Sequence, residues 1–532
     1  MTKTNAIIMA AGTSSRFAPL SYEKPKGLLE VKGEILIERQ IRQLKEAGID
    51  DITVVVGYKA ELFAYLAEKF EVEIVLNEDY NHYNNTSSII RVIDRLADTY
   101  ICSSDNYFPE NVFLGKPQTS YYSALYAEGQ TGEYCMSVDA NDDITDVTVG
   151  GRDSWYMLGH VFFNREFSER FREILTKEYE DESTRHMYWE DVYIKNIDVL
   201  PKMKIHRYAP GEIEEFDSLE ELRRFDEKYI NDTGCRIFMN ICQVLGCEQK
   251  DITDIVVLKK GMTNSSFCFT CTATGKKYVY RHPGDGTEAF ISRKSEYFSM
   301  QVAKELGLDS TFIYMHPTDG WKISYFIEGA RILDYHNEAE LSVALSMLSR
   351  LHQANVQSEF PYRLWDQAND FFDKLKAMGK DVTPDFYDLR TMMSDIYNAA
   401  RTDGWPECLN HCDALAANFL ISGGSQEGSF DMTLIDWEYS GQGDTAQDLG
   451  SFIACSDMTY EEALKAIQIY LGHEPTKEEL RHYLAYTAIA SYCWYLWAIY
   501  QDANGVEVGE FMDLWYRYTY QYSETAKELY GL

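Results

Sequence analysis

Ala10-Ala11-Gly12-Thr13-Ser14-Ser15-Arg16-Phe17, followed by Pro25-Lys26-Gly27-Leu28-Leu29-Glu30-Val31, decides how the first half of this chain is read. The short apolar run Ala6-Ile7-Ile8-Met9 leads straight into it, as a buried parallel strand ends in a Gly-rich turn. Working outward, Ile35 to Ala47 has helical spacing and stops at Gly48. Ile52 to Val56 is a second apolar strand closed by Gly57, and Tyr58 to Phe70 reads as a helix. Val72 to Leu76 and Tyr100 to Ser104 supply two more strands. Such alternation predicts an α/β protein with a doubly wound sheet and ligands at the C-terminal ends of its strands.

At 532 residues the chain is too long for one ordinary core. The strand–helix alternation ends near Asp217, where Ser218-Leu-Glu-Glu221 forms a capping box opening a helix to about Tyr229. Asn231-Asp-Thr-Gly234 then breaks the pattern. The expected domains are therefore residues 1–230, Rossmann-like, and residues 231–532. In the second, strand-like stretches come first and helices dominate from Glu338 onward, which predicts a small sheet lobe followed by a helical lobe, an α+β arrangement.

Acidic residues number 85 against 50 basic, a net charge of −35, which argues against a nucleic-acid partner because phosphates would be repelled. Eleven scattered cysteines, an odd number without framework spacing, read as reduced thiols in a cytoplasmic protein. Leu484 to Tyr500 carries no charge over seventeen residues, but its Tyr, Ser and Thr content fits a buried helix of a large core better than a membrane span. Nothing in the sequence fixes an oligomeric state.

A Gly-rich turn after a buried strand, Ala10-Ala11-Gly12, lets backbone N–H groups approach a nucleotide phosphate. Arg16 and Lys26 would neutralise charge as an α-phosphorus is attacked and pyrophosphate leaves. Mg²⁺ prefers one or two carboxylates, and Asp105, at a strand end, and Asp217, just before its capped helix, are the candidates. Trp155 and Tyr188-Trp189-Glu190-Asp191 fit either core packing or an aromatic-plus-carboxylate box for a quaternary ammonium, with Trp155, Tyr188, Trp189 and Asp191 as its members.

AAGTSSRF, the step from Gly12 to Lys26, GLLEV and the following helix resemble the sugar-phosphate nucleotidyltransferase superfamily, and more closely the bacterial CTP:phosphocholine cytidylyltransferases. The likeness covers about residues 5 to 230. It implies that Asn77-Glu78-Asp79-Tyr80 and Asn84 to Ser88, notably Asn77, Ser87 and Ser88, line the nucleotide and acceptor pocket. It also implies that Asp105 and Asp217 hold Mg²⁺ and that Lys26 contacts phosphate.

In the second half, His411-Cys412-Asp413 and Asn418 have the H-x-D-x-x-x-x-N spacing of phosphoryl transfer. Asp413 would accept a hydroxyl proton and Asn418 would turn back towards a metal. Asp436, after the apolar strand Met432 to Ile435, would bind Mg²⁺ bridging ATP phosphates, with Glu438 beside it. Upstream, Gly261 to Phe267, with Thr263, Asn264 and Ser265, would cover the phosphates. Arg281 stands where a kinase places its phosphate-contacting cation, and Glu296 on the next helix would pair with it. Phe326 and Ile327 resemble a hinge that meets adenine.

These segments, with Ile435-Asp436-Trp437-Glu438-Tyr439-Ser440 and Asp448-Leu449-Gly450, resemble the choline/ethanolamine kinase branch of the aminoglycoside phosphotransferase-like superfamily over about residues 235 to 525. The resemblance implies a two-lobed, protein-kinase-like fold. A Trp pair at i, i+3 is by itself a common core feature. The resemblance makes Trp494 and Trp497 two walls of a trimethylammonium cage, with Tyr460 and Tyr516 as further candidates. Cys455 stands where choline kinases often carry an acidic residue. The expected activity is phosphorylation of choline by ATP to phosphocholine, then its joining to CTP to give CDP-choline and pyrophosphate. Ethanolamine or another amino alcohol is the alternative substrate. A sugar-1-phosphate nucleotidyltransferase fused to a small-molecule kinase is the alternative class.

Overall fold

The computed structural model describes residues 3–258, 264–284, 287, 291–379, 384–423, 429–504 and 508–532. It divides into two compact units, Met1–Val257 and Leu258–Leu532.

In the first unit, β1 (Asn5–Ala10) pairs parallel with β2 (Asp51–Val56), and β2 pairs parallel with β3 (Glu73–Leu76). On its other edge β1 pairs parallel with β4 (Thr99–Ser103), Ile7 facing Ile101 and Met9 facing Ser103. β1 and β2 are apolar and buried along nearly their whole length because helices cover both faces, as parallel strands require. Helix α1 (Leu36–Glu46) presents Leu36, Ile37, Ile41 and Leu44 to one face. The expected helix over Tyr58–Phe70 is interrupted. Lys59 is left-handed (φ 48°), a 3₁₀ turn spans Ala60–Phe63, and only Tyr65–Phe70 is α-helical.

A long antiparallel hairpin, β5 (Tyr121–Val138) with β6 (Ile144–Phe163), joins the sheet through β6 against β4. Helix α2 (Trp189–Lys195) and β7 (Lys204–Arg207) follow, giving the seven-stranded mixed order β3-β2-β1-β4-β6-β5-β7. Helix α3 (Leu219–Phe225) opens on Ser218, whose hydroxyl accepts the Glu221 N–H at 3.3 Å. The Glu221 carboxylate in turn accepts the Asp217 N–H at 2.7 Å, so the capping residues fix the backbone of Asp217 itself. Helix α4 is Arg236–Leu245, stopped by left-handed Gly246.

In the second unit, β8 (Asn264–Cys271), β9 (Lys276–Pro283), β10 (Phe312–Met315) and β11 (Lys322–Tyr325) lie in the order β8-β9-β11-β10, all antiparallel. Helix α5 (Arg293–Glu305) leads from the residues after β9 to β10. The helical lobe contains α6 (Glu338–Gln353), α7 (Ala446–Ala454), α8 (Tyr460–Leu471), α9 (Lys477–Ala503) and α10 (Phe511–Tyr530) around one large core. A Cβ on Gly450 would lie 2.6 Å from the Tyr486 carbonyl oxygen, so only glycine lets α7 cross α9 this closely. The uncharged stretch 484–500 lies within α9 as a core helix. Among the described residues no helix is long and apolar enough to cross a membrane.

Candidate active sites

At the C-terminal end of β1 the turn through Gly12 and left-handed Ser14 (φ 48°) opens into a cavity of about 430 Å³. Ala10, Ala11, Gly12, Arg16, Lys26 and Asp105 are among its walls. Lys26 is nearly buried and its ammonium stands 2.9 Å from Asp105 Oδ2, 3.9 Å from Asp217 Oδ1 and 5.7 Å from the Phe17 ring centre. Arg16 reaches Asp217 at 3.8 Å from the open side. Burial works against the Lys26 charge, but Asp105, Glu215 and Asp217 outweigh it and raise its pKa. Glu215, which no sequence pattern singles out, joins this cluster. Burial and the neighbouring Asp105 hold its carboxyl well above the usual carboxylate range, and Asn106 donates to it at 3.3 Å.

The opposite wall is built by cross-bracing. Asn77 is fully buried and donates to Ser87 and Ser88 at 2.9 and 3.0 Å. The Thr86 hydroxyl lies within 3.1 Å of the carbonyls of Thr184, Arg185 and Met187, and Asn85 Oδ1 accepts the Trp189 N–H at 2.7 Å. These bonds place Tyr188, half exposed, on the cavity wall. Trp189 points the other way. It is buried, stacked on Tyr122 at 5.7 Å and packed on Phe163 and Phe171. Trp155 lies on the hairpin against Tyr126 and Arg207. Asp191 accepts from Tyr134 at 2.8 Å and from the Tyr188 N–H at 2.9 Å. Glu190 lies behind this wall, where it accepts from Tyr122 at 3.1 Å and from Asn85 at 3.3 Å, and burial pushes its carboxyl up to about 7.

In the second unit the strand β12 (Glu407–Asn410) runs into His411-Cys412-Asp413. Asp448 Oδ2 accepts the His411 N–H at 2.8 Å, and Oδ1 accepts the Cys412 N–H at 2.6 Å. His352 Nε2 stands 3.0 Å from Asp448, and Cys412 is left-handed at φ 67°. A non-glycine residue in that region persists only where its surroundings over-determine it, as these bonds do. Asn418 donates to Asp413 Oδ2 at 3.0 Å and to the Asp413 carbonyl at 2.8 Å. Burial first and the Asp436 carboxylate second push the Asp413 carboxyl up to about 7, while Asn418 opposes them.

Between β13 (Phe419–Gly423) paired with β14 (Phe430–Leu434) and the short strand β15 (Gly441–Asp444) lies Asp436, also left-handed at φ 66°. Arg281, buried, pairs with Glu296 at 2.5 Å and reaches Asp436 and Glu438 at 3.6 Å. Glu296 and its neighbours raise the Arg281 pKa despite burial. Arg281 likewise outweighs burial at Glu296 and lowers its carboxyl to about 2. Asn264 donates to Glu438 at 2.7 Å, which ties the start of β8 to the segment that carries Asp436 and Glu438. Thr263 lies outside the described residues. Ser265 pairs in register with His282 on β9. Phe326 donates its N–H to the Lys277 carbonyl at 3.1 Å and, unlike Ile327, lines a separate open cavity with Lys276 and Glu328.

Trp494 and Trp497 lie 6.2 Å apart, edge to face, and Trp515 from α10 stands 6.3 and 6.1 Å from them. Tyr516, one position on, points to Asp385, which accepts its hydroxyl at 2.7 Å. Tyr460 stacks on Tyr522. Three indoles at such spacing present π faces suited to an alkylammonium ion. Cys455, half-buried, stands beside them, and desolvation first and Asp413 second push its thiol up while Trp515 opposes them.

Among the described residues no three His, Cys, Asp or Glu side chains form a preformed metal cage. The donor sets present, Asp105 with Asp217 and Asn418 with Asp436, suit a hard divalent cation that arrives with nucleotide phosphates and takes one or two protein carboxylates.

The MobA-like NTP transferase domain model matches residues 6–110, and the choline/ethanolamine kinase model matches residues 255–487. The chain is 37% identical over 232 residues to a 2-aminoethylphosphonate cytidylyltransferase of Lancefieldella rimae, covering 43% of this chain and 94% of that one. It is 33% identical over 222 residues to a choline-phosphate cytidylyltransferase of Streptococcus pneumoniae, covering 42% and 96%. The choline kinase LicA of Streptococcus pneumoniae, a solved structure, aligns at 21% identity over 55% of this chain and 98% of its own, with a TM-score of 0.45.

Proposed function

Because the chain belongs to the MobA-like NTP transferases through its first domain and carries a choline/ethanolamine kinase domain in its second, we propose that it makes CDP-choline in two consecutive steps. The second domain phosphorylates choline with ATP, and the first joins the phosphocholine to CTP with release of pyrophosphate. The observation that carries this reading is the coexistence of two side-chain clusters with the charges that such transfers need. One is the Lys26–Asp105–Asp217 cluster at the Gly-rich turn, and the other is the Asp413–Asn418–Asp436 loop.

In the first step Asp413 takes the choline hydroxyl proton as the oxygen attacks the γ-phosphorus and ADP leaves. Arg281, held by Glu296, neutralises the phosphates, and Trp494, Trp497 and Trp515 grip the trimethylammonium group. In the second step a phosphate oxygen of phosphocholine attacks the α-phosphorus of CTP. Lys26 and Arg16 neutralise the charge that builds on the departing pyrophosphate. Tyr188 faces the head group, with the Glu190 carboxylate behind it bonded to Asn85 of the cavity wall. Mg²⁺, held by Asp105 and Asp217 in one site and by Asn418, Asp436 and Glu438 in the other, would neutralise the phosphates. An enzyme that consumes ATP and CTP in this way would work in the cytoplasm, where both are supplied.

A phosphonate acceptor already carries its phosphorus on carbon and needs no kinase. The fused kinase domain therefore favours an acceptor made from an alcohol. Pyrophosphate release from CTP, measured with phosphocholine, phosphoethanolamine, 2-aminoethylphosphonate and glucose 1-phosphate in turn, tests this. The highest kcat/KM belongs to phosphocholine. Preference for the phosphonate or the sugar phosphate would refute the reading.

A further inference from the structure

Helix α4 begins without a cap of its own, since Cys235 at its N-cap position makes no side-chain capping bond. Its first N–H groups are taken instead by Glu23, more than two hundred residues earlier in sequence. Glu23 Oε1 accepts from Ile237 N–H at 2.9 Å and from the Cys235 thiol at 3.3 Å, and Oε2 accepts from Arg236 N–H at 3.2 Å. A carboxylate here meets both orphan donors and the positive end of the helix dipole. Glu23 lies three residues before Lys26.

The far side of Lys26 is tied to the same strap. The Tyr229 hydroxyl donates to the Glu30 carbonyl at 2.8 Å, Lys228 pairs with the Glu30 carboxylate at 2.9 Å, and Asp226 accepts the Lys32 N–H at 2.7 Å. Residues 226–237 thus clamp the signature segment on both sides of the lysine that must stand between Asp105 and Asp217. The strap also begins where α3, opened beside Asp217, ends.

We propose that Glu23 is a positioning residue for nucleotidyl transfer, holding the Lys26 segment through α4. This rests on the nucleotidyl-transfer reading of the first site, and its test includes a readout that needs no substrate. Two variants of the full chain are compared with the parent. Glu23→Gln removes the carboxylate from the clamp. Glu23→Gln combined with Cys235→Asp gives α4 a cap of its own without restoring the tie to the signature segment. Hydrogen exchange of peptides covering residues 24–31 and 236–245 is followed, with pyrophosphate release from CTP and ADP formation from choline.

In Glu23→Gln both peptides exchange faster and pyrophosphate release falls about tenfold or more, as displacement of a reacting group does, while ADP formation keeps the parent rate. In the double variant the 236–245 peptide regains its protection, yet the 24–31 peptide and pyrophosphate release stay impaired. Parent-like exchange over 24–31 in Glu23→Gln would overturn the proposal. So would return of pyrophosphate release together with α4 protection in the double variant, which would make Glu23 a helix cap and nothing more. A parent protein that released no pyrophosphate would refute the nucleotidyl-transfer reading, with the exchange of 24–31 still deciding the clamp.

Discussion

Gly27 packs so tightly on Ser104 that a Cβ at position 27 would fall 2.8 Å from the Ser104 hydroxyl oxygen and 2.9 Å from its Cβ. Ser104 is the residue before Asp105, and Gly27 the residue after Lys26. The close approach is what brings that lysine within 2.9 Å of that aspartate. Gly27→Ala forces the two segments apart. CTP-dependent pyrophosphate release falls about tenfold to a hundredfold, because shifts near 1 Å cost this much. ADP formation from choline and ATP is unchanged in the same preparation.

Asp413→Asn removes the proposed proton acceptor of the 411–418 loop without changing its shape. Choline-dependent ADP formation drops about a hundredfold or more, the usual worth of a general base. Pyrophosphate release from CTP and added phosphocholine stays at the parent level. Loss of both activities would show that the two sites do not work independently.

The Asp413 carboxyl is pushed up to about 7 by burial and by Asp436, and in the proposed role of proton acceptor it works only when deprotonated. Kinase kcat/KM therefore rises with pH across an acid limb ending at or below about 7, since a cation at Asp436 pulls the value down. A pH–rate profile at saturating Mg²⁺ checks this, and Asp413→Asn loses the limb.

Trp515 completes the indole cluster with Trp494 and Trp497. Replacing Trp515 with Ala raises the KM for choline roughly twofold to thirtyfold, the worth of one cation–π wall of about 0.5–2 kcal/mol. The KM for ATP does not move. Tyr516→Phe, which only breaks the bond to Asp385, leaves the choline KM alone.

His160 sits fully buried among Tyr121, Tyr208 and Phe113, and burial lowers its pKa to about 3. A depressed histidine leaves the folded state with fewer protons than the unfolded state below pH about 6.5. Stability from this group is complete above that pH and is lost as pH falls towards 3, by up to about 1.4 kcal/mol per pH unit. Chemical denaturation of the first unit followed between pH 7 and 4 shows a shallower loss in His160→Gln than in the parent.

Short-range patterns were legible in the sequence because their chemistry is local. The strand–turn signature around Gly12, the capping residues at Ser218 and the spacing from Asp413 to Asn418 each fix their own backbone. What lay beyond reach depends on orientation. Trp515 and Tyr516 are adjacent, yet about 100° of helical turn sends one to the tryptophans and the other to Asp385. Trp189 and Glu190 diverge in the same way, one into the core and one towards Asn85. Glu215 joins the lysine cluster only through tertiary folding, and no motif marks it. The long hairpin of β5 and β6 leaves no clean period-two pattern in the sequence, because repeated register shifts interrupt its alternation.

Phosphorus NMR of the full chain with Mg²⁺, ATP, CTP and choline tests the central claim most directly. The account predicts a phosphocholine signal that forms first and is consumed as CDP-choline and pyrophosphate grow in. Phosphocholine that accumulates without CDP-choline, or choline left untouched while another alcohol or a sugar phosphate is converted, would contradict it.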